Sequence, residues 1–358
     1  MTSYRRSLTS LFLTATLIAP FVGICPFDET AFAAPTDPSD TVPSDSEASL
    51  GTRCRCWLRK KMVCDTDLSC YGTRLDENWQ EADEDKPVVL VVHGYNSRPE
   101  RNEAMLATVR SAGYPCGTFS YPNDYTITAS AQLLSSELRR FHREHPDRRV
   151  TLICHSMGGM VARACVEDML YDPGNVDRMI LIAPPTCGTA IAQFAIGTDV
   201  WEHWLSRTDG SPWRRVKDSV VDGLGEAANE LCPGSEFLTE LNARPRNPNV
   251  QYTVILGTGA RMTEAELKWI RESVIEKLAK VPGAEGGAHR LNALLSDIDE
   301  LVEGKGDGVV AVERGRLEGV SDTLVLPFGH LSVTGEATGE PGSDVVRQVQ
   351  AAVLERLN

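Results

Sequence analysis

The stretch that decides the fold is Cys-His-Ser-Met-Gly-Gly at positions 154–159. Just before the serine, residues 150–154 form a short apolar run, as expected of a strand buried on both faces. After it, residues 157–170 predict a helix. A serine on the tight turn between a buried strand and a helix is the context of a nucleophile elbow, which holds the hydroxyl outward at the edge of a sheet. Ser156 is therefore the candidate nucleophile.

The residues on either side of Ser156 fit the elbow at one position and depart from it at the other. Strand and helix backbones approach closely in such a turn, so its outer positions need small side chains. Gly158 meets this requirement, whereas Cys154 stands where the usual pattern has glycine. Cys154 also lies inside the apolar strand rather than at the turn, which argues against a cysteine nucleophile.

A serine hydroxyl needs a neighbouring base, and the base needs a carboxylate to orient it. In a fold with this elbow the acid and the histidine follow the serine in that order. Asp307 lies in a glycine-flanked turn at 306–310, and His330 follows the last predicted strand. We expect His330 to be the base for Ser156 and Asp307 to orient it. An Asp-Gly turn is also common without any catalytic role. The alternative acids are Asp297, Asp299 and Asp322.

The residues after the first buried strand predict an oxyanion hole. Negative charge on a tetrahedral intermediate needs preorganised N–H donors. One comes from the residue after the nucleophile and one from the loop after this strand. We expect these donors to be the backbone N–H groups of Met157 and Tyr95, with Gly94 allowing the backbone to approach. His93 is expected to brace the loop.

Strands and helices alternate along the chain from residue 87 onward. Besides the elements around Ser156 and the strand at 88–92, strands are predicted at 114–121, 179–182, 252–256 and 323–326, and helices at 101–112, 126–144 and 235–241. Such alternation builds a doubly wound, mostly parallel sheet with function at the carboxyl ends of its strands. The predicted fold class is therefore α/β.

The first 33 residues have the layout of a secretory signal peptide. Arg5 and Arg6 precede an apolar stretch at 8–24, and Ala-Phe-Ala at 31–33 offers a cleavage site after Ala33. An uncleaved membrane anchor is the alternative. Residues 34–50 are rich in Pro, Ser, Asp and Thr and predict a disordered linker. We therefore expect an exported protein, either periplasmic or secreted.

Cysteines concentrate in the next segment, residues 51–86. The four cysteines of this segment are Cys54, Cys56, Cys64 and Cys70. Zinc sites commonly use Cys-x2-Cys pairs, and an exported protein meets an oxidising compartment, so disulfide bonds are favoured over a zinc cluster. A further bridge is predicted between Cys187 and Cys232, with two free thiols as the alternative.

The motifs together resemble the bacterial lipase and GPI-inositol-deacylase-like branch of the α/β-hydrolase superfamily. The resemblance also rests on Ala-Pro-Pro at 183–185 leading to Gly-Thr at 188–189, and on Gly-Ser-Glu-Phe-Leu at 234–238 leading to Leu-Asn at 241–242. It covers residues 87–358, which are expected to form one α/β-hydrolase domain. Within it, residues 262–282 look like a helical insertion atypical of the family.

A segment at about 189–230 interrupts the alternation and predicts a lid or cap. It carries Phe194, Trp201, Trp204 and Trp213 among polar residues. Trp201 and Trp204 are candidate substrate-binding residues that would line a pocket for an acyl chain. Packing of the cap onto the main domain is the alternative. A lid of this kind implies transient contact with a lipid interface.

The expected reaction is hydrolysis of a carboxylic ester with a lipid-like acyl chain through an acyl-serine intermediate. No cofactor and no metal ion are required. The formal charge of −14 argues against nucleic acid and anionic membranes as partners, and favours a neutral or zwitterionic lipid-like or small ester substrate. Acyl transfer, amide hydrolysis and a catalytically silent binding module are the alternatives. The sequence leaves the oligomeric state open.

Overall fold

The computed structural model describes residues 71–334 and 344–358, except 96, 98, 123–124, 195–225, 271 and 273–297. The chain divides into two units, one of residues 62–264 with 298–358 and one of residues 1–61 with 265–297. All strands of the described residues belong to the first unit. The predicted signal peptide, the linker, the four N-terminal cysteines, Trp201 and Trp204 lie outside the described residues.

One sheet of seven strands is present in the described part of the chain. The strands are β1 (Gly72–Leu75), β2 (Val88–Val92), β3 (Cys116–Ser120), β4 (Val150–His155), β5 (Val176–Ile182), β6 (Gln251–Gly257) and β7 (Thr323–Leu326). Their order in the sheet is β1-β3-β2-β4-β5-β6-β7. All neighbours are parallel except β1 and β3, which are antiparallel.

Helices connect the strands. The α-helices among the described residues are α1 (Glu103–Ser111), α2 (Ile127–Glu144), α3 (Met157–Val166), α4 (Glu226–Glu230), α5 (Glu236–Ala243), α6 (Glu264–Ile270), α7 (Val312–Gly315) and α8 (Asp344–Leu357). Short 3-10 helices lie at Trp79–Glu81, Pro99–Asn102, Ala190–Phe194, Asp299–Leu301 and Ser332–Thr334. Two of the helix starts have a side-chain cap: Thr126 Oγ1 accepts from Ala129 N, and Ser235 Oγ accepts from Leu238 N.

Both faces of the sheet are covered, as the unbroken apolar strands require. In β2 the side chains of Leu90 and Val92 pack into a core with Leu134 of α2 and Met160 of α3. The alternating side chains of the same strand, such as Val89, pack into a second core on the other face, with α1 and α8. All five residues of β2 are buried, because a strand in the middle of a doubly wound sheet has no solvent face.

The helix after Ser156 is shorter than predicted. It ends at Val166 rather than at residue 170, and Glu167 caps it. The next residues turn away, and Met169 and Leu170 are 98% and 77% exposed. These two apolar residues continued the sequence pattern of a buried helix, although their side chains face solvent.

Strand β1 and the helices α4, α7 and α8 were not predicted from the sequence. The strand β1 lies in the segment assigned to the cysteines, so the sheet begins before the expected domain boundary at residue 87. It has four residues, Gly-Thr-Arg-Leu, and an edge strand of this length has no clear alternation. Helix α8 packs Val349, Val353 and Leu357 into the second core.

Cysteine pairing is described for five thiols only. Cys116, Cys154 and Cys165 are buried, Cys187 is exposed, and no disulfide bond is found among these and Cys232. The predicted bridge between Cys187 and Cys232 is therefore not formed in this structure. The chain nevertheless brings the two positions near each other, since Thr189 N donates to Leu231 O at 3.0 Å. The bridge stays a prediction.

The insertion predicted at 262–282 is helical at its start. Helix α6 covers Glu264–Ile270, whereas residue 271 and residues 273–297 lie outside the described part of the chain. None of the described helices has the length and apolar character of a membrane span.

Candidate active site

Ser156 lies on a strained turn between β4 and α3. Its backbone has φ 52° and ψ −126°, in a region that residues with a side chain rarely occupy. The turn is fixed by the Ser156 N–H, which donates to Ile182 O of β5 at 2.9 Å. This conformation places the serine at the carboxyl end of the central strand, where a doubly wound fold carries its site.

A close approach of strand and helix explains the glycine two residues after Ser156. A Cβ atom added to Gly158 would lie 2.4 Å from His93 O and 2.8 Å from Val92 O. Both contacts are with backbone that cannot move aside. The structure therefore requires glycine at this position of the motif, as the sequence predicts.

The other small position of the motif, Cys154, is fully buried in β4. It pairs with Val92 and Leu181 of the neighbouring strands. Burial raises the pKa of this thiol well above its ordinary value, so it stays protonated. A buried, protonated thiol inside the sheet is no nucleophile.

The structure brings together the three residues expected to form a triad. His330 Nε2 lies 2.9 Å from Ser156 Oγ, and His330 Nδ1 lies 2.8 Å from Asp307 Oδ2. All three side chains are buried. A carboxylate only accepts hydrogen bonds, so the proton of the neutral ring is on Nδ1. The free lone pair of Nε2 then faces the serine hydroxyl, which is the arrangement a general base needs.

The carboxylate of Asp307 is held by its own turn. Its Oδ1 accepts from the backbone N–H groups of Val309 at 2.8 Å and Val310 at 2.7 Å. The remaining oxygen, Oδ2, is left for His330. The main chains also join, because His330 N donates to Asp307 O at 2.8 Å. The turn at 306–310, called the acid turn, and the loop after β7 that carries His330, called the histidine loop, therefore form one hydrogen-bonded unit.

The two alternative acids that the structure describes, Asp299 and Asp322, have partners other than His330. Asp299 is largely exposed and pairs with Lys305 at 3.3 Å. Asp322 precedes β7 at the amino end of the strand, where a hydrogen bond from Arg356 lowers its pKa. Asp297 lies outside the described residues. Among the candidate acids within the described residues, Asp307 is the one in contact with His330.

The loop after β2 that begins with His93, Gly94 and Tyr95, called the oxyanion loop after its predicted role, lies directly on the elbow. A Cβ added to Gly94 would be 2.9 Å from Ser156 Cβ, so only glycine permits this approach. Tyr95 is half-buried against the first core, and Met157 is the first residue of α3. The first N–H groups of a helix have no acceptor within it, so the Met157 N–H is available to a ligand. The roles of Tyr95 and Met157 as oxyanion donors stay a prediction.

The ring of His93 makes hydrogen bonds to Gly94 of the oxyanion loop and to Tyr121. Its Nε2 accepts from Tyr121 N at 3.4 Å, so its Nδ1 carries the proton and donates to Gly94 O at 2.9 Å. Tyr121 also stacks on the His93 ring and donates its hydroxyl to His93 O at 2.7 Å. Burial lowers the pKa of His93 to about 4, which keeps the ring neutral. These contacts agree with the expected bracing role.

His155 also belongs to the site, although the sequence indicated no role for it beyond its place in the elbow motif. Its Nε2 lies 3.1 Å from the main-chain oxygen of His330, and the two rings are 4.8 Å apart. The two residues are far apart in sequence. Nothing in the local pattern indicates a contact across that distance.

Comparisons with known proteins bear on the fold that carries this geometry. A family model described as a PGAP1-like alpha/beta domain matches residues 124–212, which include the elbow. No curated protein has a sequence that matches significantly. The mature form of Bacillus licheniformis lipase BlEst2 is structurally similar, with a TM-score of 0.53 and 16% identity over 80% of this chain and 98% of that one. The chain has the α/β-hydrolase fold. The fold class and the resemblance to the superfamily predicted from the sequence are thus confirmed.

The same lipase in its propeptide form matches with a TM-score of 0.52 and 17% identity, covering 80% of this chain and 53% of that one. At these identities the likeness concerns the α/β-hydrolase fold alone.

The first residues of the segment predicted as a lid are hydrogen-bonded to the acid turn and to Glu300 beside it. Thr189 Oγ1 donates to Val309 O, and Ala190 N donates to Glu300 Oε1 at 3.1 Å. Glu300 is fully buried, pairs with Arg314 at 3.1 Å, and its carbonyl accepts from Gly308 N at 2.8 Å. The start of the segment is thus fixed to the turn that carries Asp307. Trp201 and Trp204, farther along, lie outside the described residues, and their role stays a prediction.

Proposed function

We propose that this protein is a serine hydrolase that cleaves carboxylic esters through an acyl-serine intermediate. The observation that carries the proposal is the unbroken series of hydrogen bonds from Asp307 through His330 to Ser156. It lies at the carboxyl ends of the strands, where the fold places catalytic residues. Similarity to a lipase structure and to the PGAP1-like model supports the assignment.

Acylation begins with proton transfer from Ser156 Oγ to His330 Nε2. As the proton leaves, Oγ attacks the ester carbonyl carbon, and the π electrons of the carbonyl move to its oxygen. The tetrahedral intermediate collapses when the bond to the alcohol oxygen breaks, and His330 delivers its proton to that oxygen. Asp307 stabilises the imidazolium that exists between the two transfers.

Deacylation repeats the same steps with water. His330 takes a proton from a water molecule while the water oxygen attacks the acyl carbon. It then returns the proton to Ser156 Oγ as the bond between Oγ and the acyl carbon breaks and the carboxylic acid leaves. In both stages the negative oxygen of the intermediate is stabilised by the backbone N–H groups of Tyr95 and Met157. None of these steps requires a cofactor.

The proposed substrate is a neutral or zwitterionic ester with a lipid-like acyl chain. The net charge of −14 disfavours anionic ligands. The aromatic residues of the 189–230 segment, Trp201 and Trp204 among them, are proposed to contact the acyl chain during transient binding at a lipid surface. The signal-peptide pattern favours a reaction outside the cytoplasm, in the periplasm or the medium.

Turnover of p-nitrophenyl esters of increasing chain length tests the proposal. Wild-type protein should hydrolyse them and Ser156→Ala should not, while circular dichroism shows that both are folded. Amides and a non-water acyl acceptor are assayed in parallel. Hydrolysis of amides but not esters, or transfer without hydrolysis, would identify a different reaction on the same triad. A folded protein that turns over none of these substrates would be a binding module.

A further inference from the structure

His155, the residue before the candidate nucleophile, contacts the main chain of the candidate base. Its Nε2 lies 3.1 Å from His330 O, and both residues are buried. A carbonyl oxygen has no proton to give, so His155 Nε2–H is the donor. The last residue of β4 thus reaches the histidine loop by a side chain, next to the residue that carries the nucleophile.

The other ring nitrogen of His155 is directed to the oxyanion loop. Its Nδ1 is buried without a hydrogen-bond partner in the described structure. A Cβ added to Gly94 would lie 3.1 Å from it, so the ring is confined between that loop and the histidine loop. With Nε2 occupied as a donor, Nδ1 is the unprotonated nitrogen of a neutral ring.

Three hydrogen bonds then fix His330 from different sides. Its backbone N–H donates to Asp307 O at 2.8 Å, and its Nδ1 to Asp307 Oδ2 at 2.8 Å. Its carbonyl accepts from His155. The bonds to Asp307 hold the backbone N–H and the ring of His330, and the bond from His155 holds its backbone carbonyl. Together they restrict the path by which Nε2 could move away from Ser156.

We propose that His155 is a positioning residue for the base, acting through the main-chain carbonyl of His330. The proposal deepens the proposed function and rests on it. A neutral donor suits this place, because a permanently charged side chain would repel the imidazolium that forms on His330 at 4.8 Å between ring centres. Desolvation lowers the pKa of His155 to about 3, and the neighbouring His330 and His93 rings favour the neutral form further.

Two substitutions of His155 distinguish the effect of its hydrogen-bond donor from the effect of the packing of its ring. His155→Phe keeps an aromatic ring and removes the N–H, whereas His155→Gln places an amide N–H near the position of Nε2. We expect kcat of His155→Phe to fall roughly 10- to 100-fold with KM changed less than about twofold, since small displacements of a base have effects of this size. His155→Gln should recover most of the loss.

Ser135→Ala is the matched control. Ser135 lies on α2, and its hydroxyl donates to Tyr171 O, so the variant also loses a partly buried hydrogen bond to a carbonyl, away from the site. It should lower thermal stability and leave kcat unchanged. Unchanged kcat in His155→Phe, or equal losses in the Phe and Gln variants, would overturn the proposal.

Nuclear magnetic resonance of ¹⁵N-histidine-labelled protein tests the contact without any substrate. The wild type should show His155 protonated on Nε2 only, unchanged between about pH 5 and 8. The His330 Nδ1 proton signal should weaken in His155→Phe and return in His155→Gln. A His155 ring protonated on Nδ1, or a His330 signal that ignores both variants, would refute the positioning role. If the signals behave as expected but no ester is cleaved, the contact stands and the proposed function fails.

Discussion

At the scale of single residues, the site depends on backbone that most residues avoid. Ser156 and Ala183 have φ 52° and φ 50°, and they are the non-glycine residues with positive φ in the described chain. They follow the neighbouring strands β4 and β5. Each such conformation costs on the order of 1–3 kcal/mol and persists only where surrounding contacts impose it. Here Ser156 N bonds Ile182 O, and Ala183 N bonds Ile255 O.

The first prediction concerns the acid. Asp307→Asn should lower ester turnover about 10⁴-fold, because the amide no longer fixes the ring tautomer that leaves Nε2 free to accept a proton. Asp299→Asn is the control, since Asp299 is exposed and pairs with Lys305. Turnover of a short-chain ester is the measurement. Near wild-type turnover for the Asp307 variant together with a large loss for the Asp299 variant would show that the acid is misassigned.

The second prediction concerns acid stability. Burial lowers the pKa of His93 to about 4 and of His155 to about 3, whereas in the unfolded chain both have about 6.5. Between these values the unfolded chain binds more protons, so the free energy of unfolding falls as pH falls. We expect each histidine to lower the free energy of unfolding by up to about 1.4 kcal/mol for each pH unit below about pH 6.5, until the pH reaches its folded-state pKa.

Urea unfolding at about pH 7 and about pH 5 measures this effect. The difference between the two conditions should be smaller in His155→Gln than in the wild type, because one of the two titrating groups is gone. Carboxylates contribute equally to both proteins and cancel in the comparison. Identical differences would mean that His155 is not held neutral by burial.

At the scale of elements, glycines at strand ends let the parts of the site meet. A Cβ on Gly257, the last residue of β6, would lie 2.7 Å from Asp307 Cβ and 2.6 Å from Phe328 O. The acid turn and the histidine loop therefore both pack on the end of one strand. Sequence reasoning found Asp307 as one of four candidates, because this convergence depends on contacts between distant segments.

The third prediction concerns the helix behind the elbow. In α3, Arg163 is fully buried and bonds Glu167 at 3.0 Å and Asn242 of α5 at 2.9 Å. Arg246 also pairs with Glu167 at 3.0 Å. Arg163→Ala removes one of the two arginines that pair with the buried Glu167 and leaves Arg246 as its remaining partner, so the variant should cost about 3 kcal/mol of unfolding free energy, the lower end expected for a broken buried pair.

An exposed ion pair of similar spacing provides the control. Arg140 pairs with Glu137 on α2 at 2.9 Å, and its side chain is 55% exposed. Arg140→Ala should cost no more than about 1 kcal/mol. Urea unfolding of the two variants measures both values. Equal costs would show that the buried network does not stabilise the helix that carries the elbow.

At the scale of the whole molecule, patterns of local sequence predicted the sheet well. The bounds of β2 and β7 match the expected strands, and the remaining predicted strands and helices differ by a few residues. Apolar runs in a sheet buried on both faces are continuous and easily recognised. The short edge strand β1 was missed, and α3 was predicted to run four residues beyond its actual end at Val166. In both places the sequence pattern does not reflect which side chains are exposed.

The site was predictable where it follows from motif and chain order. Ser156 and His330 were identified from strand–turn–helix context and from order along the chain. The role of His155 was not, since its contact with His330 forms only in the folded chain. Trp201 and Trp204 remain candidates from composition alone.

The fourth prediction concerns these tryptophans. If they line an acyl pocket, Trp201→Ala or Trp204→Ala should reduce turnover of long-chain esters far more than turnover of acetate esters. Wild-type turnover of a medium-chain ester should also rise more steeply above the solubility limit than below it, as expected for a segment that opens at a lipid surface. Equal losses on both substrates, with lower thermal stability, would identify packing residues instead.

The central claim, that Ser156 is an activated nucleophile, is tested most directly by covalent labelling. Purified, folded protein is treated with a fluorophosphonate and the modified peptide is sequenced by mass spectrometry. We expect stoichiometric modification of Ser156 in the wild type and a large loss of labelling in His330→Ala, because the hydroxyl then lacks its base. Folded wild-type protein that leaves Ser156 unlabelled, or carries the label on another residue, would contradict the assignment.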